Sequence, residues 1–205
     1  YLVARKHFSS RRSLGAGEMW MYHRDGLNAK AMKGIQLTER PNDQKDVNEP
    51  AYSPDGRYLY YSQDTTAGDA FEYDKDSNGQ IYVIKRLDLQ KGETESYITG
   101  PGGACRPTPS PDGKSIAYTH DNSLRIYDVE TETSRGLLNK GSHPYRFIHA
   151  NMAWSPDSER LVFKGKLNDE EHEVAIVTAD DGQLQRRYRT TDNIGDDFAW
   201  SHDGS

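Results

Sequence analysis

The sequence predicts an all-β fold, a β-propeller with four blades' worth of four-stranded antiparallel meanders, on three observations. One hairpin corner recurs four times, as Ser53-Pro54-Asp55-Gly56, Ser110-Pro111-Asp112-Gly113, Ser155-Pro156-Asp157-Ser158 and Ser201-His202-Asp203-Gly204. The corner serines fall 57, 45 and 46 residues apart, and a period in the forties built from strands marks one blade per repeat. The segments between corners are short, β-branched and aromatic, bounded by Asp, Gly and Pro.

The corners suit a type I turn, with Ser first, Pro second where φ is already set, and Gly fourth; where Ser158 replaces Gly and His202 replaces Pro the turn should survive with weaker preference. First strands end at Ala51-Tyr52, Thr108-Pro109, Ala153-Trp154 and Ala199-Trp200; second strands start at Tyr58-Leu59-Tyr60-Tyr61, Ile116-Ala117-Tyr118 and Leu161-Val162-Phe163. Third strands read as Glu18–Tyr22, Gln80–Ile84, Leu124–Tyr127 and Glu173–Val177, and more polar fourth strands as Ile35–Thr38, Thr94–Ile98, Arg135–Leu138 and Leu184–Tyr188. Tyr1-Leu2-Val3-Ala4 aligns with a second strand, and the chain stops just after a corner, so both ends fall inside blades. Residues 1–205 are therefore expected to form one propeller domain: an excerpt of a larger propeller, since an open arc leaves a broken blade exposed, or alternatively a four-bladed ring closed by pairing the strand before Ser201 with the one beginning at Tyr1. Trp20, Tyr60, Trp154, Phe163 and Trp200 are the expected core positions.

An apolar fraction of 34% and a mean hydropathy of −0.95 exclude membrane insertion by an apolar helix. The net charge of −6 argues against nucleic acid, whose binders carry a basic excess. Cys105 is the single cysteine, so no internal disulfide forms; it reads as a small residue entering an inner strand.

Tyr1 to Arg12 followed by Gly17-Glu18-Met19-Trp20, Pro41 to Asp46, Ser62-Gln63-Asp64-Thr65 and Thr99-Gly100-Pro101-Gly102-Gly103 together resemble the TolB-like propeller in the N-terminal part of bacterial amidohydrolase-family proteins. The resemblance spans residues 1 to about 113. Beyond it, the corner and strand pattern is shared with TolB and with the propellers of prolyl-oligopeptidase-like enzymes. The resemblance implies a periplasmic or exported hydrolase, with a barrel using zinc or another divalent metal after the propeller. This segment would scaffold or gate that neighbouring catalytic domain and bind a peptide or protein. Two alternatives are a free-standing TolB-type interaction propeller and the substrate-filtering propeller of a peptidase.

No catalytic residue or cofactor is expected in the segment itself. The seven histidines include no His-x-His pair, with which such metal barrels open, and no Gly-x-Ser-x-Gly elbow occurs. Function is expected on the loop rim opposite the corners, at Arg5, Arg11, Arg12, Asp43, Lys45, Asp64, Arg106, His143, Tyr145, Arg146 and His149. Asp74-Lys75-Asp76-Ser77-Asn78-Gly79 matches the start of a calcium loop, making Asp74, Asp76 and Asn78 candidate metal ligands; Lys85 stands where the loop's closing carboxylate belongs.

Overall fold

A serine hydroxyl organises every corner. The structure, a computed structural model, describes residues 1–7, 17–26, 34–39, 47–65, 82–100, 103–192, 195 and 197–204. Ser110 Oγ donates to Asp112 Oδ1 (2.6 Å) and accepts from the Ser115 N–H (2.9 Å), while the Gly113 N–H closes the turn on the Ser110 carbonyl (2.9 Å). Ser53 and Ser155 repeat the pattern with Asp55 and Tyr58, and with Asp157 and Arg160. Ser201 donates to Asp203 (2.7 Å). The fourth corner residue explains the glycines: Gly56, Gly113 and Gly204 lie at φ of 71°, 74° and 74°, and Ser158 takes the same conformation at 64°. The Ser53, Ser110 and Ser155 N–H groups donate to the carbonyls of Tyr58, Ser115 and Arg160, so each loop holds four residues, a length commonly built around a type I turn.

Three of these corners join the first two strands of an antiparallel sheet, and a further sheet precedes them; each of the four is an up-and-down meander. The first holds three strands, β1 (Leu2–His7), β2 (Gly17–Tyr22) and β3 (Gly34–Gln36). The second runs β4 (Val47–Tyr52), β5 (Tyr58–Asp64), β6 (Tyr82–Asp88), β7 (Glu93–Ile98). The third runs β8 (Cys105–Pro109), β9 (Ser115–His120), β10 (Ser123–Asp128), β11 (Thr133–Leu138). The fourth runs β12 (Phe147–Trp154), β13 (Arg160–Lys166), β14 (His172–Thr178), β15 (Leu184–Thr190). Tyr1-Leu2-Val3-Ala4 thus enters the strand that pairs with the Trp20 strand, as its alignment with second strands requires. Ala199-Trp200 differs from expectation. The corner after it forms, but no ladder partner for it exists among the described residues.

Successive sheets stack through their inner strands: β1 and β2 against β4, β4 against β8, β8 against β12. Between neighbouring blades lies a separate apolar layer. Met19, Val47, Leu59, Tyr61 and Leu87 fill the first gap; Tyr60, Ile84, Ile98, Ile116, Tyr118 and Tyr127 the second; Leu124, Ile126, Trp154, Leu161, Phe163 and Val177 belong to the third. Tyr60, Trp154 and Phe163 are buried, whereas Trp20 and Trp200 are half-buried. Two tryptophans at one repeat position tie blades by hydrogen bonds: Trp154 Nε1 donates to the Thr108 carbonyl (2.7 Å) and Trp200 Nε1 to that of Ala153 (3.0 Å). The chain is a β-propeller module of radial sheets.

Because Ser110 is fully buried, Ser110→Ala strands the Ser115 N–H and should cost about 1–3 kcal/mol. Ser201→Ala, at an exposed corner, should cost under about 0.5 kcal/mol. Urea unfolding of both variants checks the difference, and equal losses would contradict the hydroxyl's role.

Candidate functional site

Four residues before each corner serine stand Glu49, Arg106, Asn151 and Asp197. The inner ladders break there: register shifts separate Asn48 from Ala51, Cys105 from Thr108 and Ile148 from Met152. A bulge lets an inner strand turn a side chain out of the sheet's alternation. Glu49 and Arg106 sit at φ of 60° and 56°, a conformation that costs a non-glycine residue of order 1 kcal/mol and clusters at ligand sites. The four residues, with Pro50, Thr108 and Phe198, line one opening of about 290 Å³ between the inner strands.

The ring is cross-braced. Arg106 Nε donates to Glu49 Oε1 (2.6 Å), and the Arg106 N–H to Glu49 Oε2 (2.9 Å); Ser62 Oγ also donates to Oε2 (2.8 Å). Opposite, Asn151 Nδ2 donates to Asp197 Oδ1 (3.3 Å). The opening thus presents two carboxylates, a guanidinium and an amide, groups that suit backbone amides and charged termini of an extended chain. Cys105 adjoins it, but burial first and the Glu49 charge second push its thiol up to about 12. It is protonated at neutral pH and is a poor nucleophile.

Of the described residues expected on the rim, Arg106 alone enters this opening. Arg5 lies in β1, and Asp64 ends β5 opposite Tyr82. Arg11, Arg12, Asp43, Lys45, Asp74, Asp76 and Asn78 lie outside the described residues. His143, Tyr145, Arg146 and His149 gather on the rim of the fourth blade, where Asn122 of the third pins them. Asn122 Nδ2 donates to the Arg146 carbonyl (3.1 Å), its Oδ1 accepts from the Ile148 N–H (2.7 Å), and His143 Nε2 meets its carbonyl (3.0 Å). Arg146 pairs with Asp169 (2.9 Å), and His149, read from sequence as part of a loop, lies in β12 with its ring 5.9 Å from that of His172. Tyr145 is buried rather than presented. Its hydroxyl donates to Glu173 (2.6 Å), a fully buried carboxylate that also accepts from Arg187 (2.6 Å) and Arg189 (2.9 Å). Burial raises the Glu173 carboxyl, but these three donors outweigh it and hold it below the usual range. Gly165 makes room for that ring, since a Cβ there would lie 2.2 Å from it.

Residue type alone did not single out Glu49, Asn151 and Asp197. Their constant offset from the corner serine is the signal that finds them.

No protein-family model matches the chain, and a comparison with curated proteins found no match. Solved structures do resemble it. A putative TolB from Agrobacterium tumefaciens superposes with a TM-score of 0.56 at 18% identity, covering 85% of this chain and 57% of that one. A prolyl endopeptidase gives 0.55 at 16%, covering 83% and 26%, and the β-propeller domain of the Trilobed protease from Pyrococcus furiosus gives 0.51 at 20%, covering 70% and 42%. The chain therefore spans between a quarter and three fifths of these structures. At such identity the likeness is one of fold, a TolB-like β-propeller.

The Glu49–Arg106 pair is partly exposed, so its coupling should be modest. A double-mutant cycle with Glu49→Gln and Arg106→Met should give about 0.5–1 kcal/mol by urea unfolding; zero coupling would mean the two side chains do not hold each other.

Proposed function

We propose that this chain is a non-catalytic, TolB-like propeller module whose axial opening binds an extended peptide or protein segment, and that it scaffolds or gates an amidohydrolase-type domain in its parent protein. The observation carrying this reading is the set of Glu49, Arg106, Asn151 and Asp197, one residue per repeat around a single opening, the first three held on inner strands. Repetition of one position around an axis makes a site that no single blade could form. Asn151 offers both an amide donor and an acceptor, and the braced Glu49–Arg106 pair can exchange its internal contact for charged groups of a guest.

Propellers of this fold in a prolyl endopeptidase and the Trilobed protease support a role beside a catalytic domain. Zinc or another divalent ion would belong to that domain. The resemblance of residues 1–113 to amidohydrolase propellers favours a periplasmic or exported parent. Likeness to TolB supports the second reading, a free-standing protein-binding propeller.

Incubated with peptide, amide and ester substrates, with and without zinc, the 205-residue chain should show no turnover above buffer. On an immobilised array of random peptides it should retain a subset, and Arg106→Ala with Asn151→Ala should lose that retention about tenfold or more. Turnover removed by a rim substitution would contradict the non-catalytic reading. Peptide retention indifferent to both axial substitutions would contradict the axial one.

A further inference from the structure

A second cavity, of about 280 Å³, opens at the corner end between the second and third blades, lined by Asp55, Tyr58, Tyr60, Arg86, Asp112 and Val129, with Gly113 at its edge. The equivalent gap between the third and fourth blades is latched. There Ser158 fills the fourth corner position and its Oγ accepts from the Asp112 N–H (3.1 Å). In the open gap that position is Gly113, which has no side chain; a Cβ would stand 3.9 Å from Pro54. The walls differ as well. Blade two presents Tyr58 and Tyr60 at the positions where blade three has Ser115 and Ala117.

The charges inside select the guest. Arg86 is already spent: its guanidinium stacks 3.9 Å from the Tyr97 ring centre and 4.8 Å from that of Tyr58, and pairs with Glu95 (2.6 Å). Arg57 is committed to Asp88 (3.1 Å). Asp55 and Asp112 each use Oδ1 within their own turn, accepting from Ser53 and the Arg57 N–H, and from Ser110 and the Lys114 N–H. Neither carboxylate forms an ion pair with a basic side chain among the described residues, although the Arg57 charge acts on Asp55 and the Lys114 charge on Asp112 from farther off; the hydrogen bonds of both turns fall on Oδ1, which leaves Oδ2 for a ligand. We infer that this inter-blade cleft is a binding site for a basic side chain, a lysine or arginine of a peptide or protein, its aliphatic stem against Tyr58, Tyr60 and Val129 and its cation between Asp55 and Asp112. Amphipathic side chains bind in this way, stem on apolar surface and charge at the rim. Turn hydrogen bonds support the charge state: the Ser53 hydroxyl holds the Asp55 carboxyl low, and for Asp112 burial raises the carboxyl but the Ser110 hydroxyl, the Lys114 N–H and the Lys114 charge together hold it below the usual range.

The site is separate from the axial opening, and amide-resolved NMR keeps the two apart. Titrating the isotope-labelled 205-residue chain with Nα-acetyl-lysinamide should shift the amides of Asp112, Gly113 and Val129 saturably, leaving those of Arg106 and Asn151 in place. The neutral Nα-acetyl-norleucinamide should not shift them. Gly113→Ser installs the latch of the next gap and should abolish the response; the Ser158 precedent at φ 64° shows that serine fits there. Asp112→Asn preserves the turn acceptor and should weaken binding about fivefold, with the fourth-blade amides confirming the fold. Equal shifts from norleucinamide, saturation by Nα-acetyl-glutamic acid amide instead, or an unchanged response in both variants would overturn the inference.

Discussion

The buried corner hydroxyl fixes where each later feature falls. Ser53, Ser110 and Ser155 each gather a carboxylate and a strand N–H on one oxygen, which sets the first residue of the returning strand. With that pairing fixed, the inner strand meets its partner in register for two residues and then breaks into a bulge. The bulge puts Glu49 and Arg106 at positive φ and turns them into the opening. Site geometry is thus a consequence of turn chemistry four residues away.

Blades are joined by a division of labour. Apolar layers between sheets supply most of the stabilisation, because burying an aromatic or aliphatic side chain is worth about 1.5–3 kcal/mol. Direction comes from polar ties. Trp154 and Trp200 each donate to the preceding inner strand, and Asn122 fastens the rim of the third blade to that of the fourth. The same logic separates the latched gap at Ser158 from the open one at Gly113: a hydroxyl closes one, and its absence leaves a cavity in the other.

Corners and second and third strands were legible in the sequence because Ser-Pro-Asp-Gly and runs such as Tyr58–Tyr61 carry strong local preferences. First strands were read short. β4 begins at Val47 and β12 at Phe147, but Pro50, Pro107 and the polar bulge residues interrupt the alternation that announces a strand. The axial ring escaped notice for the same reason, since a bulge reverses which side chains face inward. Tyr145 reads as a loop aromatic available to a partner. Its burial depends on Gly165, twenty residues on, and on a carboxylate in β14, a tertiary relation that no local pattern displays.

Pulsed electron resonance between spin labels at Pro54, Pro111 and Pro156, in a chain with Cys105 replaced by serine, measures the corner arrangement directly. If the sheets radiate from one axis, the two neighbouring separations should be similar, and the Pro54–Pro156 distance clearly shorter than their sum. A distance equal to that sum would describe a straight stack of sheets and contradict the propeller on which both sites depend.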